Sequence, residues 1–311
     1  MLLRHGEALF TPPMSLSQQI AQFIASGIIN GTIYALLGLG LVAIHSVTRV
    51  VNVAQGEFAA FGALVAVSLM AAGLPLPVSL VAAVAAAALL GGGIHRAAIR
   101  PVRNATPLVL LIITIAVHLA LKGVLLLLWG TDPYTLRPFT VGPPIRILSA
   151  VLTRQSLWVI GVTAVALIVL YMFFTKTIRG KSLRACAVNP TAARLVGIRV
   201  EWMGTLAWTI AGGLGGLAGV LITPLTLATY DMGLILGLKG FVGAVVVGMA
   251  SYPWTVVACI LFGIVESLGT GLISSNYRDA IAFGALIVVL LWRAIATLRV
   301  GWIVSEEVAQ E

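Results

Sequence analysis

Asn52, Gln55 and Glu57 fall within six residues of each other, in the stretch RVVNVAQGEFAAFGAL that runs from Arg49 to Leu64. Two amides and a carboxylate beside a glycine can cap a helix, pair with a cation or hold a polar solute. Their surroundings make the grouping unusual. No Lys, Arg, Asp or Glu occurs between Glu7 and Arg49, nor between Glu57 and Arg96. A second carboxylate, Glu266, stands inside the apolar stretch LFGIVESLGTG. An ionisable group within a membrane-length run costs about 2.5–3.5 kcal/mol to insert and is a functional candidate by default. Two readings stay open for each. Glu57 either faces headgroups or pairs with Arg49 at an interfacial turn, or it belongs to a helix that starts inside the membrane beside an internal path. Glu266 either pairs with another helix or lines the same route.

The elements that carry these groups follow from composition. The chain has 311 residues, 60% hydrophobic and 9% charged. Soluble domains carry about 25% charged residues, so most of this chain is solvated by lipid. Backbone groups in hydrocarbon must pair internally, which leaves helix bundles and closed barrels. Barrel strands alternate in polarity over about ten residues. The runs here are continuous and rich in Ala, Leu and Gly, so the expected fold is all-α, a polytopic bundle of about eight spans with a broken or re-entrant helix near its centre. The spans fall near 19–45, 54–72, 77–95, 106–129, 156–175, 203–222, 239–274 (long enough for two) and 279–297. The N-terminus lacks the compact pattern of a cleaved signal, so the first run is expected to be retained. The break begins at NVAQ, which has the form of a capping box with Asn52 as cap and Gln55 reaching back to it.

Basic residues set the orientation. Arg96, Arg100 and Arg103 follow the third span, and Lys176, Arg179, Lys181, Arg184, Arg194 and Arg199 follow the fifth. Both loops therefore lie in the cytoplasm, 130–155 lies outside, the N-terminal segment 1–18 is external and the tail 301–311 is cytoplasmic. The same clustering accounts for the net charge of +9 without nucleic acid as a partner. Glycines at four-residue spacing, Gly212 with Gly216 and Gly215 with Gly219, predict close helix packing. Lys122 is expected to snorkel outward along its stem, and His118 to be a packed, hydrogen-bonded histidine.

No enzyme site is legible. RGKS at 179–182 ends like a phosphate-binding loop, but the pattern needs glycine at 175 and the residue is Thr175. Cys186 and Cys259 have no metal-ligand spacing. The informative loop is 176–202. After Asn189-Pro190, TAARLVGI reads as a short helix that Pro190 opens and Gly197 ends.

TAARLVG at 191–197 resembles the coupling loop of ABC-transporter membrane subunits, with Thr191 where that pattern opens with Glu. The blocks at 30–63, 100–112, 183–198 and 239–291 resemble, in order and spacing, the branched-chain amino-acid ABC permease family over nearly the whole chain. The resemblance implies one permease domain over 19–300 in a bacterial inner membrane, paired with a second permease that is identical or related. It implies two cytoplasmic ATPases that use ATP, no cofactor in this chain, and an external solute-binding protein. The implied solute is an amino acid, branched-chain in type, or a related urea, amide or aromatic acid. Arg184, Thr191, Ala192, Ala193, Arg194 and Gly197 become candidates for coupling, with Ala192 and Ala193 on the docking face. Asn52, Gln55, Glu57 and Glu266 become candidates for the translocation route. The rival is a self-sufficient secondary transporter with Glu57 and Glu266 as coupling carboxylates.

Overall fold

The computed structural model describes residues 15–102, 105–147, 150–272, 274 and 277–308. Most of the N-terminal segment, Arg103 and the last three residues lie outside these. Among the described residues, seven helices are long and apolar enough to cross a membrane.

The first, α1 (Leu16–Thr48), opens with a capping box in which Ser15 and Gln18 satisfy each other's amides. Its 33 residues extend about 50 Å at 1.5 Å per residue, more than the roughly 30 Å hydrocarbon core. It is the axis of the bundle, with 89% of its most apolar window buried. It ends where Arg49 takes a left-handed conformation, φ 57°. A four-residue 3₁₀ turn, Val53–Gly56, then leads into α2 (Glu57–Ala71). α3 (Leu76–Ile94) continues through a π turn, His95–Ile99. α4 (Pro107–Trp129) and α5 (Arg154–Lys176) lie at the edge, turning Leu119, Leu127, Val165 and Ile168 outward. Between them the 130–155 stretch holds a small hairpin, β1 (Ile145–Ile147) with β2 (Ala150–Leu152).

The 176–202 segment is not an open loop. It forms two short helices, α6 (Ile178–Val188) and α7 (Pro190–Leu195). α8 (Val200–Ile222) returns through the bundle centre. Its glycines serve two neighbours, as the four-residue spacing requires: Gly212 and Gly216 sit on Ala87 of α3, and Gly215 and Gly219 on Phe58 and Ala59 of α2.

The 239–274 run, long enough for two spans, divides at Ser251-Tyr252-Pro253 into α9 (Met232–Val246) and α10 (Tyr252–Leu272). Gly248 and Met249, both at positive φ, make the turn. α9 starts seven residues before 239, because the chain after α8 doubles back and pairs Ala228 with Tyr134. With 15 residues, α9 is shorter than the roughly 20 residues a full crossing needs. α10 packs so closely on α1 that a side chain at Gly27 or Gly31 would meet the backbone of Ile264 or Ile260. α11 (Arg278–Val308) completes the bundle and runs as helix through most of the expected tail.

Candidate functional site

The break at 49–57 is held from three sides. Asn52 caps it, accepting from Ala54 N at 3.1 Å. Gln55 does not return to the cap's backbone as a capping box would. Its Oε1 accepts weakly from Asn52 Nδ2, 3.4 Å, and its Nε2 donates to the Ala211 carbonyl of α8 at 3.0 Å. Thr114 of α4 accepts from Val53 N and lies 3.1 Å from the Val51 carbonyl. These groups satisfy backbone that an α-helix would otherwise pair, which is how irregular chain survives at membrane depth.

Glu57 is fully buried, and its Oε1 lies 3.0 Å from Nδ1 of His118. The contact is close but not aligned as a hydrogen bond. His118 is the midpoint of α4, eleven residues from either end (118 − 107 and 129 − 118). The pair therefore sits near the middle of that span. The carboxylate rests on Gly233 in the first turn of α9, where a Cβ would overlap it. A side chain at Gly56 would likewise strike the Gly233 carbonyl. Glu57 is also the first residue of α2. Two helix N-termini with their partial positive charge thus meet at one carboxylate. Lys122 and Asp231 are the next charges around it, and Lys122 stands over the Tyr230 ring, 5.7 Å from its centroid.

Glu266 belongs to a different cluster. Its Oε1 takes Lys239 Nζ of α9 at 2.7 Å and Arg278 Nε of α11 at 3.1 Å. Lys239 also pairs with Asp279 at 3.0 Å. Lys239 and Glu266 are buried, while Arg278 and Asp279 are about half exposed. The structure therefore brings Asn52, Gln55 and Glu57 together and sets Glu266 apart. Both clusters touch α9, the first at Gly233 and the second at Lys239.

On the 176–202 segment, the Asn189 side chain caps α7, accepting from the amides of Thr191 and Ala192 at 3.0 Å each. Gly197 ends it at φ 83°. The docking face differs from expectation. Ala193 is buried within its own chain, against a cluster of Leu183, Cys186, Met203 and Ala207, so it is not free for a partner. Burial also pushes the Cys186 thiol above its ordinary range. Ala192 is exposed, beside Val188 and Leu195, each 85% exposed, and Val196 at 76%. Thr191 and Arg194 are exposed on the same helix. Arg184 instead borders an apolar cavity with Phe174 and Tyr252. Arg194 and Arg199 share a cavity with Arg96 and Arg100, so the two basic loops lie at one end of the bundle.

Sequence reasoning passed over Lys239, Arg278 and Asp279 and took His118 for a packing residue. One signal was available. Lys239 and Glu266 are single opposite charges with none between them, and neither is tolerable in lipid alone.

A helical bundle with interrupted helices, buried charge and a helical elbow at one end has the build of a membrane transport subunit. Residues 23–290 match the family model described as "Branched-chain amino acid transport system / permease component", and the chain belongs to that family. It is 29% identical over 296 residues to the high-affinity branched-chain amino acid transport system permease protein LivH of Escherichia coli (strain K12), covering 89% of this chain and 95% of that one. It is 29% identical over 287 residues to the permease protein BraD of Pseudomonas aeruginosa, covering 88% and 93%. The probable permease LivH of Methanocaldococcus jannaschii is 29% identical over 293 residues, covering 89% and 90%.

Proposed function

We propose that this chain is the membrane-spanning permease subunit of a bacterial ABC importer for amino acids of the branched-chain type. It works with a second permease, two cytoplasmic ATPases and an external solute-binding protein. The observation that carries the reading is the family match over 23–290, which includes both the interrupted helices and the α6–α7 elbow. The four arginines gathered from both basic loops at one cavity support placing that end in the cytoplasm, with 130–155 and the α10–α11 junction outside.

In this reading ATP does mechanical work through α7. Val188, Ala192, Leu195 and Val196 present an apolar face that an ATPase groove would cover, and Ala193 holds that face against the bundle. Thr191, Arg184, Arg194 and Gly197 flank or terminate it. The solute route uses both polar clusters, with Asn52, Gln55 and Glu57 at mid-membrane and Glu266 nearer the outside. α9 touches both, so a shift of this short helix changes them together. A ligand moves such an equilibrium only through its differential affinity for the two states.

The test is assembly and coupling in the purified complex. Leu195→Asp should abolish ATPase co-purification or uncouple hydrolysis from uptake while the chain still inserts. Ala193→Trp should disturb the chain's own fold as well. Full assembly and normal coupling with Leu195→Asp would refute α7 as the coupling element.

A further inference from the structure

Glu266 and Arg278 line a cavity of about 610 Å³ between α1 and the α10–α11 junction. The remaining wall is mostly polar, including Ser26, Asn30, Ser267 and Thr270. Thr270 bonds back to the Glu266 carbonyl at 2.7 Å, and the other hydroxyls and the amide suit a polar occupant better than lipid, against which apolar side chains would cost less. α10 shows the contrast: its exposed positions elsewhere include Val257, Leu261 and Val265. The cavity volume lies within the roughly 300–1,000 Å³ typical of small-molecule sites.

We propose that this cavity is a transit site for a zwitterionic amino acid, its carboxylate held by Arg278 and its ammonium by Glu266 and Asn30. The inference rests on the importer reading and deepens it. Arg278 binds Glu266 through Nε and its guanidinium also meets the Tyr34 side chain, so a carboxylate taken by the terminal nitrogens, the fork that matches it, would do so in exchange for the tyrosine. Glu266 commits Oε1 to both cations, while Oε2 is buried without a hydrogen-bond donor. The Tyr34 side chain lies alongside both residues. The charges of Lys239, Glu266, Arg278 and Asp279 sum to zero, so a net-neutral zwitterion adds no uncompensated charge. A solute with only one of the two charged groups instead adds a net charge to a network that already sums to zero, which costs more where solvent is partly excluded. Entry of the zwitterion weakens the Arg278–Glu266 contact as it forms its own. Affinity is therefore low, as transit requires, since a solute must be able to leave as well as enter.

The experiment uses the whole importer in proteoliposomes with its binding protein, and saturation-transfer NMR of the permease–ATPase complex in nanodiscs without it. L-leucine, 3-methylbutylamine and 4-methylpentanoate are the NMR probes. Asn30→Leu changes the wall without touching the ion pairs, and Arg278→Gln removes the fork. Either variant should lower leucine uptake roughly tenfold or more, the scale of one charge-assisted hydrogen bond, with ATPase assembly retained. Leucine should give transfer that Asn30→Leu abolishes, and the two singly charged probes should give far less. Unchanged uptake and transfer in Asn30→Leu would overturn the site, even if Arg278→Gln fails to fold. Absence of any amino-acid uptake by the unaltered complex would instead refute the importer reading itself.

Discussion

Two buried carboxylates in this chain are kept in opposite ways. Among the described residues Glu57 has one close polar neighbour, His118, and is sealed against Gly233 where two helices begin. Glu266 shares Lys239 and Arg278, with Asp279 behind them, and borders an open polar cavity. Burial alone does not distinguish the two sites. They differ in redundancy and access. The first is a tight junction in which each group has one role. The second is a charge-balanced network that can lose a contact and keep others, which is what a site exchanging partners with a solute requires.

Removing single groups sharpens this contrast, with unfolding free energies measured by denaturant titration in mixed micelles. His118→Leu should cost the most, about 3 kcal/mol or more, because it leaves the buried Glu57 carboxyl without its one close polar neighbour among the described residues, and an unsatisfied buried group costs about 1–3 kcal/mol, more when charged. Lys239→Met should cost less, about 1.5–3 kcal/mol, the range for a lost hydrogen bond to a charged group, since Glu266 keeps Arg278. An equal or larger loss from Lys239→Met would break the redundancy argument. Gln55→Leu removes one interhelical bond to α8 and should cost about 0.6 kcal/mol, the average for such bonds in membranes, and no more than about 1.7 kcal/mol, the largest. Arg100→Gln breaks a pair with Glu201 in which both side chains are more than a third exposed. It should change stability by no more than about 1 kcal/mol and sets the baseline for the other three.

Much of this was legible in the sequence, for identifiable reasons. Charge-free runs gave the spans, because lipid tolerates little else. The break at Asn52 was visible because an amide cap and a carboxylate interrupt the apolar text. Pro190 and Gly197 marked the ends of α7 through their fixed and left-handed backbones. The partners of the buried carboxylates were not legible. His118 lies 61 residues from Glu57 and Lys239 lies 27 from Glu266, and only the packing of α4, α9 and α10 brings them together. The burial of Ala193 was missed for a related reason. A short helix with two alanines gives no sign of which one its own bundle claims. The early start of α9 depended on the Tyr134–Ala228 pairing, which no local pattern announces.

The proposed importer moves its solute only when ATPases drive it. The direct measurement is accumulation of radiolabelled L-leucine in proteoliposomes, for the chain alone under an imposed proton or sodium gradient and for the assembled importer with binding protein and ATP. Accumulation is expected only from the assembled importer, and only with hydrolysable ATP. Gradient-driven accumulation by the chain alone, lost in Glu57→Gln and Glu266→Gln, would contradict it and establish a secondary transporter.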